Sequence, residues 1–273
     1  MTRSDEHVPN PNVDGKTIFN EDARLYARAR PGYPEEMFEE AIAYSRIPEG
    51  GRILEIGCGP GQATYPFARR GYRMLCVEPG PNMVEVASER CSGCSVEFVV
   101  SSFEDWPVEE NAFDLAISAS AFHWLDKGIR LPKIARALKS GGTIALFWNK
   151  HPGPFSRIFV EANAVYRKYA PELAWDEKEM CSRRGLTEEQ IRGVADEIDA
   201  TGIFGPVTVK TYPWSREFTA QEYADLMNTY SGHRALPEDR KQALFADIRG
   251  IIEENGGIVV REYLSVLYLA RKK

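Results

Sequence analysis

Glu55-Ile56-Gly57-Cys58-Gly59-Pro60-Gly61 sets three glycines at alternating positions where an apolar run gives way to a polar one. This spacing suits a strand-to-helix turn whose backbone N–H groups approach a ligand, since a Cβ at Gly57 or Gly59 would block the turn or the approach. Seventeen residues after Gly61, a second apolar run ends in Glu78, where a carboxylate can accept hydrogen bonds from both hydroxyls of a ribose. The chemistry implied is nucleoside binding. A nicotinamide dinucleotide is the main competitor, because its G-x-G-x-x-G turn is also followed by an acid about 20 residues on. Here the third glycine comes one residue early, and Glu55 would repel a pyrophosphate while suiting an ammonium group. S-adenosylmethionine brings both a ribose and an ammonium.

A second group of candidates follows a later apolar run: Phe122-His123-Trp124 stands just beyond Ala119, at a strand exit of the kind where open α/β folds bind ligands. His123 is the best-placed polar side chain. It can act as a general base, orient a carboxylate, or serve only as a hydrogen-bonded cap. His7, His151 and His233 have less support, the last two standing in turn-like surroundings expected at the surface. No Ser-His-Asp order and no metal-ligand cluster is visible, and Cys91-Ser-Gly-Cys94 has no second pair to complete a zinc site, so a helix-to-strand turn is its better reading. Methyl transfer needs neither, because an already activated sulfonium reacts once acceptor and methyl group are aligned and water is excluded.

These residues require a scaffold, and the pattern supplies one. Strands are expected at Arg52–Cys58, Arg73–Glu78, Val96–Ser101, Asp114–Ser120 and Thr143–Trp148. Helices are expected between them at Gln62–Arg70, Pro81–Cys91 and Ile129–Leu138, the last closed by Gly141-Gly142. Alternating βα units predict a doubly wound, mostly parallel sheet. Residues 1–17 are polar and read as a mobile arm, and two short helices precede the first strand. Residues 18–273 read as one domain. A helical insertion over about 150–205, with helices near Phe155–Tyr169 and after Thr187, and helices over about 220–255 would form a substrate cap. Val207–Thr219 and Ile258–Ala270 are β-rich and complete the sheet edge.

Composition narrows the partners. A net charge of -6 disfavours the broad basic surface that a nucleic acid needs, and Lys139, Lys168, Arg183 and Arg184 make only local basic spots. No apolar stretch reaches the roughly 20 residues that span a bilayer, no leader opens the chain, and five cysteines (Cys58, Cys76, Cys91, Cys94, Cys181) form no disulfide framework. A cytoplasmic protein with reduced thiols and a small-molecule acceptor is expected, with no nucleic-acid or membrane partner.

The E-x-G-x-G-x-G run, Glu78 and Asn111-Ala-Phe-Asp114 resemble the Rossmann-like methyltransferases that use S-adenosylmethionine, over about residues 50–150. Tyr26-Ala-Arg-Ala-Arg30-Pro-Gly-Tyr33-Pro34 and Ala121-Phe-His-Trp-Leu-Asp126 resemble the trans-aconitate methyltransferase-like branch. The resemblance implies that Gly57, Cys58, Gly59, Gly61 and the loop backbone cradle the methionine part, Glu78 the ribose, and Pro79 with Met83 the adenine. Glu55, Ala119 and Tyr26 complete the expected cofactor site. Where such families often carry an acid that meets the adenine after the third strand, Ser102-Phe103-Glu104 occupies the loop; Phe103 could stack on the ring and the Ser102 side chain or Phe103 backbone hydrogen-bond it, although Phe103 would serve equally as core. Tyr26 and Arg30 could fold over the cofactor, with Arg30 binding a carboxylate. Tyr33, Phe122, His123 and Trp124 complete the expected acceptor site. A nicotinamide-dependent oxidoreductase and a catalytically silent S-adenosylmethionine-binding protein are the rival readings.

Overall fold

A computed structural model describes residues 18–153, 156–175 and 186–273. The expected arm, Cys181, Arg183, Arg184 and Phe155 at the start of an expected helix lie outside these, as does His7. A seven-stranded sheet runs β3-β2-β1-β4-β5-β7-β6. Its strands are β1 (Arg52–Ile56), β2 (Arg73–Glu78), β3 (Val96–Val100), β4 (Phe113–Ala119), β5 (Leu138–Lys150), β6 (Thr208–Thr219) and β7 (Ile258–Arg271). The first five are parallel, and β7 enters antiparallel between β5 and β6. The strand order reverses between β1 and β4, the switch point at which open α/β sheets leave a crevice.

Both sheet faces are buried, which explains the near-continuous apolar runs. Leu54 and Ile56 face a cluster with Trp106, Phe122, Ile134 and Trp148. Ile53 faces the opposite cluster with Phe38, Phe67, Phe147 and Leu267. The first is covered by α5 (Arg130–Ala137) and α7 (Glu188–Ala200), the second by α2 (Glu35–Ser45) and α3 (Thr64–Ala68). Asp114 ties three strands at their start, its carboxylate accepting from the Arg52 backbone N–H at 2.9 Å and from Lys139 Nζ at 2.7 Å. Cys91 and Cys94 flank a turn with Gly93 at φ 82°, between α4 (Pro81–Arg90) and β3.

Two expectations need correction. Gly141-Gly142 do not close α5: the chain extends at Leu138, and the Asn111 and Ala112 N–H groups take the Arg136 and Ala137 carbonyls. The glycines instead sit where the β4–β5 register shifts. The 150–205 stretch also divides. Its α6 (Arg157–Tyr169) packs with α8 (Ala220–Met227) and, past the short α9 (Ser231–Arg234), with α10 (Glu238–Glu254) in a third cluster around Phe159, Tyr166, Tyr223 and Ile248. Its α7, started by a Thr187–Gln190 capping box, instead places Ala195 and Ile198 on the sheet. Beyond the pattern, α1 (Ala23–Ala29) bridges the two parts, with Arg24 paired to Glu85 and Glu89 of α4 and Arg28 to Asp225 of α8. Among the described residues no helix is long and apolar enough to cross a membrane.

Candidate functional site

A pocket opens over the carboxyl ends of β1, β2 and β4. Its lining brings together Tyr26, Arg30, Tyr33, Gly57, Cys58, Gly59, Glu78, Pro79, Met83, Ser102, Phe103, Ala119, His123 and Trp124, all expected from the sequence. Glu55, Gly61 and Phe122 lie behind that wall.

The glycine loop begins as β1 ends. Gly57 has φ 69°, and a Cβ there would meet the Ala121 Cβ at 2.4 Å, so only glycine lets the loop close on the segment leaving β4. Gly59, at φ 52°, faces open space. Its N–H donates to Glu78 Oε2 at 3.0 Å, while the Gly80 N–H donates to Oε1 at 2.9 Å. Burial raises the Glu78 pKa and these two donors work against the rise. Each oxygen keeps acceptor capacity for a ligand hydroxyl. Gly61 packs instead on Ala87 of α4.

Glu55 departs from expectation. The β1 pleat turns it away from the pocket and buries it completely, with Cys76 Sγ 3.7 Å from Oε2. Burial pushes its pKa up to about 8, Thr64 and Cys76 temper the rise, and the charge of Glu78 adds to it. Burial thus favours its protonated form, and the side chain lies outside the pocket lining. Ser102 Oγ is committed locally, donating to Asp105 Oδ2 at 2.6 Å and accepting from the Asp105 N–H at 3.1 Å. Phe103 touches the pocket while stacking on Trp106 in the core.

At the other end, both ring nitrogens of His123 are buried and its ring lies beside Trp124 and Trp148. The turn that carries it is held by Arg130, whose Nη1 donates to the Phe122 carbonyl at 2.9 Å and whose Nε pairs with Glu197 at 2.8 Å. Phe122 itself points into the core against Trp148, because the tight turn that brings His123 to the pocket turns its neighbour inward. Tyr33 Oη and Ser120 Oγ share a hydrogen bond of 2.9 Å. Arg30 donates through Nε and Nη2 to Thr229 Oγ1 and the Thr229 carbonyl, and its guanidinium lies 4.2 Å from the Tyr230 ring centroid and 5.1 Å from that of Tyr26.

Sequence reasoning missed Asn20, Glu104, Ser120, Asn149, His151, Tyr230 and Tyr263 in this wall. Most come from elements outside the nucleotide-binding pattern, and only Ser120, at the β4 exit, had a usable signal. His151 and His233 are not surface residues: the first lines the pocket and the second is buried against Tyr166, whose Oη is 2.8 Å from its Nε2.

Residues 53–142 match a family model described as a methyltransferase domain. A methyltransferase-like protein of Schizosaccharomyces pombe is 28% identical over 240 residues, covering 86% of each chain. An uncharacterized methyltransferase of Mycobacterium tuberculosis is 32% identical over 136 residues, or 50% of this chain and 54% of that one. Phosphoethanolamine N-methyltransferase 2 of Haemonchus contortus, solved with phosphomonomethylethanolamine and S-adenosylhomocysteine, has the same fold at a TM-score of 0.54. It is 17% identical, covering 93% of this chain and 57% of that longer one.

Proposed function

We propose that this S-adenosylmethionine-dependent methyltransferase methylates a small molecule with a polar or anionic head, a carboxylic acid being the acceptor class we favour. The observation that carries the reading is that the Gly59–Glu78 cradle and the group Arg30, Tyr33 and His123 line one pocket. The negative net charge and the likeness of Ala121–Asp126 to the trans-aconitate methyltransferase-like branch support it. So does the small phosphorylated molecule bound by the nematode enzyme. Nothing favours nicotinamide chemistry.

The fit of the cofactor rests on Glu78, whose backbone-held carboxylate suits a ribose diol, and on Gly59, which faces open space, with Gly57 letting the loop close on Ala121. The bound cofactor supplies a methyl group on a sulfonium. Any proton that the acceptor loses would pass to His123 or to water. Around this step the protein aligns and encloses. In our reading Tyr26 and α1 cover the cofactor, Arg30 and Tyr33 hold the acceptor, and α6, α8 and α10 cap the site. The four described free cysteines suit the reducing cytoplasm in which we place the protein.

A screen with labelled cofactor against carboxylic acids, phenols and lipids tests this. Methylation of RNA or protein alone would overturn it, and cofactor binding without turnover on any acceptor would reduce the chain to a silent binder. With an acceptor in hand, His123→Ala separates roles. Loss of turnover on the order of 100-fold with cofactor affinity intact identifies a general base, whereas a raised KM identifies positioning.

A further inference from the structure

Charge is segregated along the pocket. Glu78 stands at the glycine-loop end, whereas the wall formed by Arg30, His151, Tyr230 and Tyr263 is backed by a second guanidinium, that of Arg261 on β7. Arg30 and Arg261 lie 4.2 and 5.4 Å from the centroid of the same Tyr230 ring. Arg261 is only 7% exposed, and its Nε donates to His151 Nδ1 at 3.2 Å while Nη1 reaches Tyr223 Oη at 3.4 Å. Accepting that bond leaves His151 a neutral imidazole with its ring fixed against Tyr263. Burial first, then the charges of Arg261 and Arg30, hold His151 well below the usual histidine range, and His233 is lowered by the same causes. Two guanidiniums within a few ångströms of one ring make the local potential positive.

We propose that Arg261 determines acceptor specificity: it fixes His151 in the pocket wall and, with Arg30, selects an acceptor that carries an oxyanion, a carboxylate or a phosphate monoester. The proposal rests on the pocket being the methyl-transfer site, and it adds the chemistry of the acceptor and a residue far outside the matched 53–142 segment. A guanidinium packed among rings attracts an oxyanion strongly, because little water screens it. Arg261 acts through His151 and through its field, so it is a positioning residue.

Calorimetry on the protein loaded with S-adenosylhomocysteine tests this, with succinate and methyl phosphate as probes and dimethyl succinate as the neutral control. Wild type should bind at least one anion and not the ester. Arg261→Met should weaken that anion at least tenfold and Arg261→Lys less, with S-adenosylhomocysteine affinity within twofold of wild type. His151→Gln, which keeps a polar group, should lose less than His151→Leu, and this pair decides the matter if Arg261→Met fails to fold. Absence of anion binding to the loaded wild type, or anion affinity unmoved in these variants, overturns the proposal. Failure to bind S-adenosylhomocysteine would instead overturn the cofactor reading beneath it.

Discussion

In our proposal Glu78 holds the ribose, each of its oxygens being fixed by one backbone N–H while retaining capacity for a hydroxyl. Glu78→Ala removes charge-assisted hydrogen bonds worth roughly 1.5–3 kcal/mol, so S-adenosylhomocysteine should bind at least tenfold more weakly. Unchanged affinity in a variant with wild-type melting would exclude Glu78 as the ribose ligand. Glu55 obeys the opposite logic. With its folded pKa near 8 against an ordinary 4.5, the folded state keeps a proton that the unfolded chain releases between those values. Stability is therefore lost as pH rises through that window. Glu55→Gln should gain in Tm relative to wild type from pH 5 to pH 8, and a constant difference across that range would refute the buried, protonated carboxyl. Glu78, Gly57 and Gly59 were legible in the sequence because their geometry is set within a few residues. The misplacement of Glu55 came from reading its charge without the strand pleat that buries it.

At the scale of elements, the alternating βα pattern was legible because each strand and helix has its own hydrophobic period. What the pattern could not assign was which helices leave the sheet. Thr187 announces α7 by its cap, but its docking on the sheet depends on Ala195 and Ile198 meeting distant partners. For the same reason Tyr230, Tyr263 and His151 were not legible as site residues, since they reach the pocket only when the β6–β7 pair closes the sheet. The cap cluster also carries an acid sensitivity. His233, buried among Tyr166, Tyr230 and Phe245, has its pKa lowered to about 3, first by burial and then by Arg261 and Arg30. The unfolded chain takes up a proton below about pH 6.5 that the folded state refuses. Stability should be full above that pH and fall toward pH 3, with His151 adding to the slope. His233→Phe should flatten this acid limb in thermal melts, and an unaltered slope would show that His233 does not titrate on unfolding.

For the whole molecule, a chain of net charge -6 places acid beneath and beside its glycine loop and gathers two arginines at the far end of the same pocket. A negative overall charge is unfavourable for binding nucleic acid, and in our proposal the local field selects a small anion. Everything proposed for the acceptor depends on which nucleoside occupies the Glu78 end. Isothermal titration of the wild-type protein with S-adenosylmethionine, S-adenosylhomocysteine and NADH tests that most directly. Both sulfur nucleosides should bind at one site per chain and NADH should give no heat, whereas heat from NADH with silence from both would contradict the account.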